Sequence, residues 1–510
     1  MLYLNTTYSE GEGHYVPKSY QFERDMDFLS DIEDRYDTLE FPEEANDHYI
    51  YDSMDALLDH KKDLEDMITH FLTVQRQRLE ILDSYSKGSN YNILNGRRRT
   101  GEGKADYRIA HNWGGYISNF ITGYLGSIPI DIAADDSLPE EESERVNGAV
   151  REVNDYNNIN NLNYELMFDA SRAGRAFEIH YRKEEGGRYY DAIRVIDHQD
   201  MFVVRDKTID RNIIGAVYLP VFNGKLEATI YTSRDVIRYQ PSELAAVSLT
   251  EKERTPHPYK EVPVVEWWNN RFREGDWENE LGIIDAYDAA QSDTANYMSD
   301  LNDATLVVSG DIESSQLSPQ DLFLMTKANM FLLQSGVDAQ GKQTNLNADY
   351  IYKQYDVTGT EAYKSRLLDD LYKITNIPNL DDDRFNNQSG IAIQYKLIGL
   401  QQIKQTKINY YEKALKRRYQ LINNIHEELN EQTFDANRLT FTFHENLPSD
   451  VWDEINNYIN AGGQISQQTL MEQSSFTNYQ NESRRLEREE QERELPFLSD
   501  FERSGLDATD

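Results

Sequence analysis

NIPNLDDDRFNNQSGIAIQYKLIGLQQ, residues 376–402, divides into two halves at Gly390. Pro378 closes whatever precedes it. The run Asp381, Asp382, Asp383, Arg384, Phe385, Asn386, Asn387, Gln388, Ser389, Gly390 has no apolar period, which reads as a polar loop. Beyond it, Ile393, Leu397, Leu400, Ile408, Tyr411, Leu415, Ile422, Ile425 and Leu429 are separated by gaps of three, four, seven or eight, which predicts one amphipathic helix from Ile391 to about Asn430. At a rise of 1.5 Å per residue such a helix is roughly 60 Å long, unusual for a globular domain. It is also basic, with Lys396, Lys404, Lys407, Lys413, Lys416, Arg417 and Arg418 against Glu412, Glu427 and Glu428.

Upstream, the spacing predicts a helix over 360–375. Before it lies an insert, 304–357, with the strand-like pieces TLVVSG, MFLLQ and YIYKQYDV. Leu281 to Asp303 reads as another helix, with Ile284, Tyr287, Tyr297, Met298 and Leu301 as its apolar positions. Two helices separated by a self-contained unit can pair antiparallel, with the insert at one end and the polar loop at the other. The plain reading is a helical hairpin with a long loop.

The N-terminal half alternates in texture. Residues 53–86 predict a helix through Leu57, Leu64, Ile68, Phe71, Leu72, Leu79 and Leu82, and Asn112 to Leu125 a second with Trp113, Tyr116, Ile117, Phe120, Ile121 and Tyr124 on one stripe. Residues 143–172 are helical again, interrupted at DYNNINN. From Ala176 to Tyr239 short β-branched runs, with turn signals at Gly186-Gly187 and Asn223-Gly224, predict a mostly antiparallel β region. Residues 240–262 read as a polar loop ending in VPVVEWW. At the C-terminal end, RLTFTFHEN predicts a strand, Ser449 to Asn460 a helix, and RRLEREEQERE a mixed-charge helix.

Composition narrows the chemistry. The 510 residues carry 90 Asp and Glu against 52 Lys and Arg, a formal charge of −38. That argues against a simple electrostatic nucleic-acid binder and against docking on anionic lipid. The first 70 residues are the most acidic block, 19 Asp and Glu against five Lys and Arg. With no Cys there is no disulfide, thiolate nucleophile or zinc knuckle. The first ten residues lack a basic start and an apolar run, so no targeting segment is expected.

Motif searches fail in informative ways. Gly96 and Gly101 have the P-loop spacing, but Glu102 stands where Lys is needed. His426-Glu427-Glu428 begins like a zincin helix, yet Asn430 replaces the second His. The three aspartates lack EF-hand spacing, and there is no Gly-x-Ser-x-Gly elbow. No catalytic residue, metal ligand or cofactor is assigned.

The opening stretch nonetheless resembles the tunnel loop and long helix of portal proteins of tailed double-stranded DNA phages of the siphovirus type. The matching residues are Ile377-Pro378, Asp381 to Asp383, Phe385, Asn387, Ser389-Gly390, Ala392 and Tyr395-Lys396-Leu397. HNWGGYISNFITGYLGSIPI is similar to that family's early helix. VPVVEWWNN with IIDAYDAAQSDTANYMSDLNDATLVVSG resembles the approach to its stem and clip, and GGQISQQTLMEQ the start of its crown. Together they cover most of residues 70–480.

The charge of residues 1–70 reads as an acidic N-terminal arm, and after it the resemblance implies an α+β portal fold, mainly helical: a β-rich wing (71–280), a stem helix (281–303), a small α/β clip (304–357) and a second stem helix (358–376). A tunnel loop (377–390), a very long wing helix (391–430), a wing strand (431–447) and a helical crown (448–490) complete it, and the sequence beyond reads as a flexible tail (491–510). It implies a ring, typically of twelve copies, at one capsid vertex, through which double-stranded DNA is packaged and ejected without sequence specificity. Asp381 to Gly390 would face that DNA. Leu306, Val307, Val308, Met330, Phe331, Leu332 and Leu333 of the clip would meet the terminase large subunit and then the head–tail adaptor. Major capsid protein and scaffold are further implied partners. Assembly in the host cytoplasm, a place in the virion and no membrane contact are expected. Lys396, Lys404 and Lys407 are expected to line a subunit interface, and Arg97, Arg98 and Arg99 a subunit contact or a solvated loop. The competing expectation, from another class, is an acidic soluble hydrolase using paired carboxylates among Glu178, Asp191, Asp197, Asp200 and Asp206; it requires a pair with raised pKa facing a cleft.

Overall fold

The computed structural model describes residues 41–96, 105–135, 137–300, 305–310, 330–334, 347–351, 356–379 and 397–444, with the single positions Leu39, Leu324 and Leu486. A short strand, β1 (Tyr49–Ile50), is followed by α1 (Met54–Asp59), α2 (Lys61–His70), a π turn at Phe71–Gln75 and α3 (Arg76–Ser86). The single helix expected over 53–86 is thus broken at His60 (φ −102°, ψ 64°) and widened at the π turn. The apolar spacing hides both, because Leu57, Leu64, Ile68, Phe71, Leu79 and Leu82 still point inward. The last part of the acidic block is therefore packed into the body.

Next come α4 (Tyr91–Asn95) and α5 (Trp113–Gly126), whose N-cap Asn112 accepts the Gly115 N–H at 3.0 Å. The buried face of α5 is rotated from the expected stripe. Tyr116 is exposed, and Gly114 and Ser118 are buried instead. They are small because the Trp277 ring lies on them: a Cβ on Gly114 would sit 2.8 Å from that ring, and Trp277 Nε1 donates to Ser118 Oγ at 2.9 Å.

Strand β2 (Asp131–Ala134) precedes α6 (Glu140–Asn157) and α7 (Ile159–Ala173). The interruption expected at DYNNINN is a single residue, Asn158, in the left-handed region (φ 50°, ψ 54°), which Asn tolerates better than most residues.

The β region follows as read. Strands β3 (Arg175–Glu185) and β4 (Arg188–Ile196) form a hairpin turned by Gly186-Gly187, both at positive φ. β5 (Met201–Arg205) and β6 (Ile213–Tyr218) pair antiparallel, and β7 (Val221–Phe222) and β8 (Lys225–Leu226) turn at Asn223-Gly224. β9 (Thr229–Tyr231), β10 (Asp235–Tyr239), β11 (Ser242–Glu243), β12 (Glu251–Pro256) and β13 (Val264–Trp268) complete the region. One sheet has the order β1-β5-β6-β9-β10-β12, and another β13-β3-β4. β12 falls in the expected polar loop. Its six residues are all exposed, so no alternation betrays it, and its charges suit an edge position.

The six-stranded sheet is covered on both faces. Phe202, Val204, Val217 and Ile230 pack against α1, α2 and the π turn, while Met201, Val203 and Ala216 meet Phe177, Ile179 and Val264 of the smaller sheet. Burial on both faces explains why MFVV reads as an unbroken apolar run.

The remaining elements are α8 (Leu281–Asp300), β14 (Thr305–Gly310), β15 (Met330–Gln334), β16 (Asn347–Ile351), α9 (Val357–Ile374), α10 (Ile398–Leu429) and β17 (Leu439–Thr442). The long helix thus has 32 described residues, about 48 Å at 1.5 Å per residue, ending on left-handed Asn430. β17 pairs antiparallel with β2, tying the chain beyond α10 back to residues 131–134. Among the described residues no helix is long and apolar enough to cross a membrane.

Candidate functional site

α8 and α9 run antiparallel. Lys364 Nζ donates to Gln291 Oε1 at 2.9 Å, while Tyr287 and Tyr372, nearer the opposite ends, both set their rings edge-on to Trp113 at 5.8 and 5.9 Å. Between the two helices in sequence lies a sheet of order β15-β14-β16. β14 pairs parallel with β15, in the register Leu306↔Met330, Val307↔Phe331, Val308↔Leu332 and Ser309↔Leu333, and antiparallel with β16. The sheet thus places the seven named apolar positions, Leu306 to Val308 and Met330 to Leu333, on two neighbouring strands.

α8 is held to the body by a polar seam that the sequence reading missed. Asp288, Ser292 and Asn296 are buried and spaced four apart, on one face of the helix. Against them lies the non-helical segment 105–112. His111 N–H donates to Asp288 Oδ1 at 3.1 Å, Ile109 N–H to Ser292 Oγ at 2.9 Å, and Tyr107 N–H to Asn296 Oδ1 at 2.6 Å. The match is metric. Four helical residues rise about 6.0 Å and two extended residues about 6.6 Å, so every second N–H meets every fourth side chain. Ser292 is free to accept because its own hydroxyl donates to the Asp288 carbonyl at 2.7 Å. Tyr85 and Asn92 donate to Asp285 at 2.6 Å each, and Asn90 to Asp288. Of the apolar positions expected on α8, Ile284 and Tyr287 are buried, but Met298 is 59% exposed. Its face looks outward because the polar seam takes the inward one.

α10 is anchored by ion pairs rather than by its apolar stripe alone. Arg418 is bound to Glu178, donates to Asn163 Oδ1 at 2.7 Å, and lies over the Trp267 ring at 5.2 Å. Lys407, expected at a subunit interface, is instead inside its own subunit. It donates to Asp276 Oδ2 at 2.8 Å and to Asn269, and burial lowers its pKa against the pull of Asp276. The apolar stripe could not show this, because a lysine at a helical position reads as solvated until its partner is known. His426 Nε2 meets Asp191 Oδ2 at 2.7 Å, and Arg182 donates to Asp191 Oδ1 at 2.8 Å and to Glu431.

These pairings bear on the hydrolase expectation. Burial alone would raise Glu178, but Arg418 and His180 hold it down at about 2. Against the same burial effect, His426 and Arg182 hold Asp191 below the usual carboxylate range, and bonds from Thr208 and Asn212 do so for Asp206. Burial raises Asp200, with Arg76 opposing. Three of the five carboxylates are thus fixed in the ionised form and engaged with their own donors. Asp191, His426 and Glu431 bring three potential metal-ligand atoms within 4.8 Å of one another, yet the Arg182 guanidinium already binds both carboxylates. Asp381 to Gly390, Arg97 to Arg99 and Lys396 lie outside the described residues, as do 448–485 of the expected crown.

A family model described as phage portal protein, SPP1 Gp6-like, matches residues 65–494. No curated protein matches the chain. Among solved structures, the chain is similar to one in the neck of a native GTA particle computed with C12 symmetry (11% identity, 70% of this chain and 88% of that one, TM-score 0.39). A chain in the neck of an empty GTA particle computed with C6 symmetry is similar at 12% identity, 70% and 88% coverage and TM-score 0.40. A third lies in the virion of a native gene transfer agent particle (12% identity, 70% and 87%, TM-score 0.37).

Proposed function

Because the chain belongs to the SPP1 Gp6-like family of phage portal proteins, we propose that it closes into a ring of twelve copies at one capsid vertex and serves as the conduit for DNA packaging and ejection. The observation that carries the reading is the antiparallel pair α8–α9 bracketing the β15-β14-β16 sheet, immediately before the long helix α10 and inside the matched residues. In this reading α8 and α9 are the stem. The three strands belong to the clip, and Leu306, Val307, Val308 and Met330 to Leu333 form its surface for the terminase large subunit and the head–tail adaptor. α10 is the spine of the wing.

A closed ring needs two different complementary faces on each subunit. Met298, Val357, Tyr363 and Ile374 are exposed on the helix pair, apolar surface that a neighbouring copy would cover. The polar seam of 105–112 would keep α8 straight while neighbours press on it. Asp381 to Gly390 would line the bore and touch DNA through weak, reversible contacts, since a strongly basic bore would hold its cargo. The protein's work is mechanical guidance, and no bond is made or broken. Its place is the portal vertex of the virion, after assembly with capsid protein and scaffold in the host cytoplasm.

Light scattering on the purified protein tests the ring. A mass near twelve times 59.4 kDa with an annular outline in negative stain is expected, and a compact monomer at assembly concentration overturns it. Deleting 382–388 tests the loop: packaged DNA per procapsid should fall, and full packaging removes the role.

A further inference from the structure

The sequence holds three Asn-Gly pairs, Asn95-Gly96, Asn147-Gly148 and Asn223-Gly224. With no side chain on the second residue, its backbone nitrogen can reach the carboxamide carbon of the first, which makes this dipeptide prone to self-modification. The fold treats the three differently. Asn147 lies within α6, where its Oδ1 accepts the Ala134 N–H at 2.7 Å and Gly148 is in the helix interior. Asn95 ends α4; its Nδ2 donates to the Tyr91 carbonyl at 3.0 Å, and the Gly96 N–H donates to the Asn92 carbonyl at 2.9 Å. At both, the carboxamide and the glycine nitrogen are already engaged.

At Asn223-Gly224 neither is engaged. Both residues are exposed, and the Asn223 carboxamide and the Gly224 N–H have no hydrogen-bond partner among the described residues. Nothing lies within 4 Å of where a Gly224 Cβ would stand, so the turn is open to water and base. The two residues form the loop of the β7–β8 hairpin, both in the left-handed region at φ 51° and 77°. Attack on the carboxamide needs the Asn223 backbone to swing out of that conformation. The hairpin resists weakly. It has only the pairs Val221↔Leu226 and Phe222↔Lys225, and β8 meets β11 through the same two residues, Lys225 and Leu226. Strands this short open locally far more often than a helix interior.

We propose that Asn223 is a self-modifying site, which ages to aspartate and isoaspartate in the folded protein. The deprotonated Gly224 nitrogen attacks Asn223 Cγ. The bond from Cγ to the carboxamide nitrogen breaks, and that nitrogen takes up a proton and leaves as ammonia. The succinimide so formed adds a water at either carbonyl. Opening at the side-chain carbonyl gives an ordinary aspartate, and opening at the main-chain carbonyl gives the β-linked isoaspartate. Either product adds one negative charge to the chain's −38. The β-linkage also puts an extra carbon into the main chain of a loop whose two-residue length sets the strand register, so β7 and β8 lose their pairing. This goes beyond the portal reading and does not depend on it.

The test incubates the full-length protein in mildly alkaline buffer and follows the three Asn-Gly peptides by mass spectrometry, which reads the gain of about 1 Da and separates the two aspartyl products. In the folded protein the peptide holding Asn223 should convert about tenfold faster than those holding Asn95 and Asn147, and in denaturant, where the fold no longer shields any of them, the three should convert alike. Equal rates in the folded protein, a lead at Asn95 or Asn147, or conversion of Asn223 in denaturant alone overturns the proposal. Gly224→Ala should slow conversion at Asn223 and leave the other two unchanged, and an undiminished rate at Asn223 would exclude attack by the 224 nitrogen.

Discussion

Glu178 and Arg418 stand 240 residues apart in the chain and meet with both side chains wholly buried, Arg418 Nε lying 3.0 and 3.1 Å from the two carboxylate oxygens and Nη2 2.5 Å from one. β3 supplies the carboxylate and α10 the guanidinium, so the pair sets where the long helix lies on the smaller sheet. Arg418→Met would leave Glu178 buried with only His180 at 3.2 Å. We expect a loss of about 3–5 kcal/mol in denaturant unfolding, much of it recovered in the double variant Arg418→Met, Glu178→Leu, because removing both charges removes the burial penalty too. A pH dependence accompanies it. Glu178 is depressed to about 2 from 4.5, so its contribution is complete above about pH 4.5 and disappears as pH falls through 2. Glu178→Gln should flatten unfolding profiles in that window.

His426 gives the opposite slope. Burial pulls its pKa down, but the bond and charge of Asp191, with the Gln432 carbonyl at 2.8 Å and Glu431, outweigh this, and the net direction is up from 6.5. A raised histidine stabilises below the unfolded value, and that contribution is lost as pH rises through the folded one. Stability should therefore decline above pH 6.5. In His426→Asn the decline should be missing, as read from chemical denaturation at about pH 6 and about pH 8, on either side of the histidine range.

How much of this was legible in the sequence differs from residue to residue for physical reasons. The hairpin at Gly186-Gly187, the break at Asn158 and the strands of TLVVSG and MFLLQ between α8 and α9 were visible because backbone conformation and apolar alternation are local; the third strand, expected in YIYKQYDV, lies instead at Asn347–Ile351, and Val357 already begins α9. Strand β12 was not, because a fully solvated edge strand has no pattern to show. Nor was the anchoring of α8, where the buried face is Asp288, Ser292 and Asn296: a polar stripe on a helix reads as solvent-facing unless the segment that satisfies it is known, and 105–112 lies 183 residues upstream at the Ile109–Ser292 contact. Lys407 misled for the same reason, since its counter-charge, Asp276, sits on another part of the chain.

The seam on α8 yields a local prediction. Ser292→Ala removes the acceptor of the Ile109 N–H, and Asn296→Ala that of Tyr107. Each should cost about 1–3 kcal/mol, the penalty of leaving a buried donor unmet. The distinguishing readout is hydrogen exchange. In Ser292→Ala the Ile109 amide should lose protection more than the amides of α8 itself, and uniform loss along α8 would mean that the seam is not what holds the segment.

Gly174 and Gly187 separate backbone strain from crowding. Their φ values are nearly equal, 80° and 81°, so an alanine at either incurs the left-handed penalty of roughly 1–2 kcal/mol. Around Gly187 nothing lies within 4 Å of where a Cβ would stand, and Gly187→Ala should cost only that much. At Gly174 the added carbon would lie 1.9 Å from the Arg273 carbonyl oxygen and 2.3 Å from its carbon. That carbonyl is backbone and is already engaged by Arg78 at 3.3 Å and by Asn46 at 3.0 Å, so it cannot withdraw without loosening those bonds. The Gly174 carbonyl also accepts from Asn269 N–H at 3.0 Å, which pins the other side of the contact. Gly174→Ala should therefore cost about 3 kcal/mol or more in denaturant unfolding. Equal losses for the two variants would show that the Arg273 loop yields freely and that the closure of α7 onto the 269–278 segment is not rigid.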